Sequence, residues 1–478
     1  MKTAGILIDR KSAVPLHRQL ESAFRSAILS GRLKPGERIL SSRELQTHLG
    51  LSRNTILDAL AQLHAEGYLV TSRGIGTFVA ERANKLSRDR PLKTGTQIVP
   101  SDYAGRATSA RASAANLEQT VPFRPGVPAL DLFPAAQFKR GFDVSNWTPA
   151  LLDYSNSFGY GPLRDAIARR LQQTRGVVCS ADQIFITAGA QSAFSLICGV
   201  ILNKNDVVIL EEPGYPSVRA ILLARAARVF PAPVDNLGVN VASFQRQRAK
   251  LVYVTPSHQY PTGAILSLER RLALLEWAAK HDSWIIEDDY DSEFNYTDRA
   301  HPALQGLDDG RRVIYVGTFS KVLSPALRIA YMVIPRSLRA AFEAVQQVES
   351  GTPNTIVQLA LAHFMDQGYL GRHIVKMRRI YDERRRFTNT ELTSVGGLAF
   401  RIHDSRAGLH FIAELPRECR DVTFAQRAAR QGIITPALSE YFYAKPSLNG
   451  VVIGFAATSM PDARNAIAAL AKAVVGCF

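Results

Sequence analysis

Cysteine is scarce in this 478-residue chain: there are four, Cys179, Cys198, Cys419 and Cys477, with no paired spacing. That argues against a disulfide-stapled scaffold and leads us to expect free thiols in a reducing cytoplasm. No apolar run approaches the ~20 residues needed to cross a bilayer, so no membrane partner is expected. The first twenty residues also lack the apolar core and small-residue cleavage site of a secretory signal. Negative charge is short as well, with 42 Asp and Glu facing 58 Lys and Arg, a formal net charge of +16. Such an excess favours a polyanionic partner, because Lys and Arg gain affinity for nucleic acid by releasing its condensed counterions. A basic surface that merely aids solubility would carry the same charge. The first 82 residues hold 12 Lys and Arg against 7 Asp and Glu, so the excess is not confined to that end. What the chain does have is length beyond the ~250–300 residues at which single cores stop growing, and two folded units are expected.

Residues 1–80 read as three helices and a β-ribbon. Leu16, Leu20, Phe24 and Ile28 recur every four residues and form one face of a helix that stops near Gly31. Ser41 precedes Glu44 by three, the capping-box spacing, and opens a second helix with Leu45 and Leu49 inward. Gly50 makes a turn, Ser52 caps a third helix with Ile56, Leu60 and Leu63 on its buried face, and Gly67 closes it. Residues 68–70 and 77–79 then flank a glycine-rich tip as a hairpin. Two short helices joined by a tight turn form a helix-turn-helix whose second helix can enter the major groove of DNA. Arg53, Asn54 and Thr55 at its start are candidates for phosphates and base edges, Arg43 for the backbone, and Arg73 for a wing contact. The GERILSSREL and SRNT…EGYL elements resemble the winged helix-turn-helix of the GntR family of bacterial regulators. Double-stranded operator DNA is the partner this implies.

Residues 81–119 are rich in Ser, Ala, Thr and basic residues with little apolar periodicity, and read as a linker, flexible at least in part. Over residues 120–478 apolar runs alternate with amphipathic helices, which predicts an α/β domain with a mostly parallel sheet and ligands at the carboxyl ends of its strands. The runs include 251–254, 284–286, 313–316 and 331–334; a helix over 268–280 carries Leu268, Leu272 and Leu275 on one face.

Four segments of this domain carry chemistry. Lys321 follows a predicted strand, with Thr318 and Ser320 before it and Arg328 seven residues on. Such a lysine can form a Schiff base with an aldehyde cofactor whose phosphate the hydroxyls and arginine hold. The strand ending Glu287-Asp288-Asp289-Tyr290 offers Asp288 to keep a pyridine nitrogen protonated and Tyr290 to donate to a phenolic oxygen. At the junction Thr187-Ala188-Gly189-Ala190-Gln191, the N–H groups of Ala190 and Gln191 can cradle a phosphate. Tyr215 can stack on the cofactor ring.

In this order the motifs resemble the fold-type I aminotransferases, from about Phe123 onward. Fused to a GntR-type winged helix, they resemble the MocR subfamily of regulators. The resemblance implies pyridoxal 5'-phosphate (PLP) on Lys321, a homodimer, and Tyr154 reaching the partner subunit's phosphate. Two departures stand out. Tyr260-Pro261-Thr262-Gly263 stands where aminotransferases have Asn-Pro-Thr-Gly, leaving His258 or Gln259 as substitutes for the amide. The late strand at 451–455 offers no arginine for a substrate carboxylate, with Arg401 and Arg406 as nearby candidates. The function expected is therefore a DNA-binding transcriptional regulator that senses a small amine or amino acid by aldimine exchange at Lys321. The alternative is a working aminotransferase with an accessory DNA-binding domain.

Overall fold

The structure is a computed structural model that describes residues 6, 8–72, 74–81, 99–110, 121–144, 147–153, 156–297, 301–349, 351, 354–394 and 400–475. The chain forms two compact units, residues 1–99 and 100–478.

In the first unit α1 spans Leu16–Leu29, α2 Ser42–Leu49 and α3 Arg53–Ala65, followed by β1 (Leu69–Ser72) and β2 (Gly76–Val79). The apolar spacing places Leu20, Phe24, Ile28, Leu45, Ile56 and Leu63 in one core, with Leu16, Leu49 and Leu60 packed at its margin. The capping box forms as spaced. Ser41 accepts the Glu44 N–H while the Glu44 carboxylate accepts the Ser41 N–H. Gly50 turns the chain at φ 59°, and its carbonyl accepts from Arg10 at 2.7 Å. At the far end Arg25 and Glu66 tie α1 to the end of α3 through a two-pronged ion pair.

The second unit opens with α4 (Asp102–Ala110), inside the stretch that composition reads as linker. Arg106 Nε donates to Ala224 O at the end of the Pro216–Ala224 helix, so a tertiary contact orders residues with little apolar periodicity of their own. The main sheet contains β3 (Ile184–Thr187), β4 (Val207–Glu212), β5 (Arg228–Asp235), β6 (Gly238–Val239), β7 (Leu251–Val254), β8 (Trp284–Asp289), β9 (Val313–Thr318) and β10 (Ala330–Val333). Their order is β3-β10-β9-β8-β7-β4-β5-β6. The five strands from β9 to β5 are parallel, β10 runs against both neighbours, and β6 is an antiparallel edge. The expected mostly parallel sheet is present. A second, antiparallel sheet holds β11 (Arg401–His403), β12 (His410–Glu414) and β13 (Gly450–Gly454).

Two expectations are corrected. On the Leu268–His281 helix, Leu268 and Leu272 are exposed and Leu275 is half-buried; the inward face is Arg271, Leu274, Trp277 and Ala278. Arg271 reaches the carbonyls of Leu266, Pro302 and Pro256, and three charge-assisted bonds offset the burial of its guanidinium. Cys179 and Cys198 are free and buried, but Cys419 is disulfide-bonded, so the expectation of four free thiols does not hold. Among the described residues no helix is long and apolar enough to cross a membrane.

Candidate functional site

The carboxyl ends of β8 and β9 open on a cavity of about 290 Å³. Its lining brings together Ala190, Gln191, Tyr215, Asp288, Tyr290, Thr318, Ser320, Lys321 and Arg328, residues spread over 139 positions of sequence. Lys321 leaves the end of β9 and points its amine at Gly126 O, 2.7 Å away. Burial pushes its pKa down, aided by Arg124 and opposed by Asp291 and Asp288. Asp288, at the end of β8, accepts from the Tyr253 hydroxyl at 2.5 Å. Burial pushes its carboxyl up to about 7, a carboxylate in want of a cationic partner.

Beside Arg328, Gly189 adopts φ 93° and the Ala190–Ile201 helix begins. A β-carbon on Gly189 would lie 3.1 Å from the Arg328 guanidinium carbon, so glycine is what allows that cation to sit over the turn. Guanidinium and first-turn N–H groups thus converge, the arrangement that binds a phosphate. Thr318 Oγ1 accepts the Ser320 N–H beside them. Tyr290 and Tyr215 stand edge-on to Tyr260, at ring distances of 5.7 and 5.6 Å.

Sequence reasoning missed three parts of the wall. Tyr253 holds Asp288, Gly126 O holds Lys321, and Tyr260 contributes its ring; only the last stood in a motif under scrutiny. Of the two substitutes for the missing asparagine, Gln259 is spent on Tyr260 O and Thr262 in its own turn and on Pro213 O in the loop after β4. His258 meets the Tyr290 hydroxyl at 2.9 Å. Neither lines the cavity. Arg401 and Arg406 are exposed and absent from its lining. Tyr154 and Arg73 lie outside the described residues.

On the first unit, Arg43, Arg53 and Asn54 are exposed and Thr55 is half-buried. Ser52 accepts the Thr55 N–H, and the two hydroxyls lie 2.8 Å apart. The cap that starts α3 therefore also fixes Thr55.

Residues 16–79 match the family of bacterial regulatory proteins, gntR family, and residues 136–470 match aminotransferase class I and II. The probable rhizopine catabolism regulatory protein MocR of Rhizobium meliloti is 34% identical over 474 residues, covering 98% of this chain and 95% of that protein. The chain belongs to the MocR-type regulators of the GntR family. Another regulator similar to it is the pyridoxine biosynthesis transcriptional regulator PdxR of Corynebacterium glutamicum, 31% identical over 465 residues and 95% of each chain. Among solved structures, the kynurenine aminotransferase of Pyrococcus horikoshii superposes with a TM-score of 0.69 at 25% identity, covering 80% of this chain and 96% of that one. This MocR-type chain thus carries a GntR DNA-binding domain and an aminotransferase-like domain of fold type I, and PLP is the cofactor the latter implies. The cavity suits that group: an amine at one point of the wall, a buried carboxyl at another, and a cationic turn at the end.

Proposed function

We propose that this regulator holds PLP on Lys321, captures a small primary amine or amino acid at the same carbon, and thereby changes how its winged helix binds operator DNA. The observation that carries this reading is the meeting of Lys321, Asp288 and the Arg328–Gly189 turn in one cavity. Bound there, the cofactor supplies an aldehyde carbon open to amines and a pyridinium ring that withdraws electrons from it. Asp288 would hold the ring nitrogen's proton, and a cation there would relieve the burial that raises its pKa. Arg328, the N–H groups of Ala190 and Gln191, and the hydroxyls of Thr318 and Ser320 would hold the phosphate, with Tyr154 of a second copy as a further partner in a homodimer. Tyr215 would pack on the ring and Tyr290 would meet the phenolic oxygen. Gly126 O, which accepts from the Lys321 nitrogen, would give that nitrogen a partner whenever it is not bound to the cofactor.

On the DNA side, Arg53, Asn54 and Thr55 would enter the major groove, with Arg43 on the phosphates and Arg73 in the wing. An effector acts only if it binds the two DNA-binding arrangements unequally. The test joins both ends of the molecule. Borohydride treatment of PLP-saturated protein should fix the cofactor to the peptide containing Lys321. An amine that shifts the cofactor's absorption should alter operator binding over the same concentration range, and Lys321→Ala should abolish both responses. Fixation at a different lysine overturns the cofactor assignment, and an operator response that survives in PLP-free protein overturns the sensing role.

A further inference from the structure

Behind the Tyr290 wall of the cavity lies a polar cluster that the proposed chemistry leaves unused. His258, Asp291 and His410 are only 2%, 2% and 1% exposed. His258 Nδ1 lies 3.2 Å from each Asp291 oxygen and 2.9 Å from the Tyr290 hydroxyl; its Nε2 is 2.9 Å from the Ser405 hydroxyl. Two glycines make this packing available. A β-carbon on Gly408 (φ 69°) would lie 2.5 Å from Asp291 Oδ2 and closer still to the imidazole. One on Gly263 (φ 77°) would lie 2.7 Å from Ser405 Oγ and 3.1 Å from His258 Nε2.

The geometry decides which way the protons point. An ionised carboxylate offers only lone pairs, so the Asp291 contact is favourable when Nδ1 carries the hydrogen, and Nε2 then accepts from Ser405. The Tyr290 oxygen then meets the same N–H, shared with Asp291, and can accept from it but has no lone pair at Nδ1 to donate to, which leaves the tyrosine's own hydrogen for the cavity. With a bare Nδ1 the reverse would hold, and Tyr290 would spend its hydrogen on the imidazole and show the cavity only lone pairs. We propose that Asp291 and His258 are positioning residues: they fix the imidazole tautomer that makes Tyr290 a hydrogen-bond donor toward the cofactor's phenolic oxygen. The pair takes up the orienting task that Tyr260, standing in the place of an asparagine, cannot perform.

The surroundings are compatible with one tautomer. Burial, helped by Asp291, Tyr260, Asp288 and Glu211, holds the Tyr290 phenol well above its ordinary pKa and so protonated. His410, 5.2 Å from the His258 ring and bonded to Pro261 O, is pushed well below its ordinary pKa by burial and by His258. It adds no second cation to compete for Asp291. Lys321 is the remaining charged group that faces both Asp291 and Asp288.

This inference rests on the assignment of PLP to Lys321, and its test separates the two. A donor to the phenolic oxygen draws charge from it and weakens its hold on the proton at the Lys321 nitrogen, lowering the pH midpoint of the cofactor's long-wavelength absorption. Tyr290→Phe should therefore raise that midpoint in PLP-loaded protein. Asp291→Asn lets the imidazole tautomer reverse and should raise it too, by about half a pH unit or more, with no further rise in the double variant. The sign discriminates: if Asp291 acted only through its charge, its loss would lower the midpoint of a nearby cation. A lowered or unmoved midpoint in Asp291→Asn overturns the inference while the wild-type band stands. Absence of any titrating band in wild type overturns the Lys321 assignment instead. A readout that needs no substitution at Asp291 is the 15N spectrum of histidine-labelled protein, with His258 identified by difference against His258→Asn. Nδ1 of His258 should give the protonated-nitrogen signal, and the unprotonated signal there overturns the inference.

Discussion

At the scale of single residues, Asp288 shows best how a site is bound to its stability. Its carboxyl is pushed up to about 7 by burial, against an ordinary value of 3.8. The folded, PLP-free state thus holds a proton that the unfolded chain releases. Stability from this group is complete below pH ~4 and is lost as pH rises through the folded value. Asp288→Asn keeps an acceptor for the Tyr253 hydroxyl and removes the charge. We expect it to raise the melting temperature of PLP-free protein at pH 8 by a few degrees, with the gain shrinking toward pH 5, and to weaken PLP binding. Glu211 and Glu287, also pushed up to about 7 by burial, affect both proteins alike and cancel in the comparison. Equal melting temperatures at pH 8 would count against Asp288 as a buried charge. Lys321, Asp288 and Arg328 were legible in the sequence because each stands at a strand end or turn within a dense local motif. Tyr253 and Gly126 were not, since they lie 35 and 195 positions from the groups they hold, and only the fold brings them there.

Secondary-structure elements explain why some chemistry is readable and some is hidden. The run Glu287-Asp288-Asp289 could have been an acidic loop in water. As a strand end it alternates faces: Asp288 enters the cavity, while Glu287 takes the N–H groups of Leu304 and Gln305 and Asp289 takes Arg175 and Tyr315. Periodicity predicted α1, α2 and α3 well because each buries one face, and Ser41 and Ser52 cap the starts of α2 and α3. It failed on the Leu268–His281 helix, where a buried arginine outweighs three leucines, and on α4, whose order comes from Arg106 and a neighbouring helix. The start of α3 carries the second prediction. Arg53 is exposed beside a cap formed by Ser52. If it neutralises a phosphate, Arg53→Ala weakens binding evenly across operator variants and lowers the slope of log affinity against log salt by about one. If it reads a base, the cost is roughly 1–3 kcal/mol and preference relaxes at one position. Unchanged affinity and slope would place the docking face elsewhere.

For the molecule as a whole, the question is whether an aminotransferase-like domain joined in one chain to a DNA-binding domain completes aminotransferase chemistry. Capture of an amine would need only the cofactor's aldehyde carbon, held through the Lys321 nitrogen, and a carboxyl such as Asp288 to accommodate a cationic ring. Completed transfer also needs the substrate clamped so that its α-proton faces a base. Lys321, whose pKa burial lowers, is the residue that would serve as that base. The clamp is what is missing: among the described residues lining the cavity, Arg328 is the single arginine, and it stands over the Gly189 turn, the place proposed for the phosphate. Arg401 and Arg406, on and just after the edge strand β11, are exposed. Binding without enforced orientation loses the large rate contribution that positioning makes. We therefore expect PLP-loaded protein mixed with its effector amine and a keto acid to show a prompt shift in cofactor absorption and in operator affinity, with at most slow conversion of the first equivalent. Rapid, repeated turnover by the unmodified protein would make it an enzyme first, with the winged helix as its accessory.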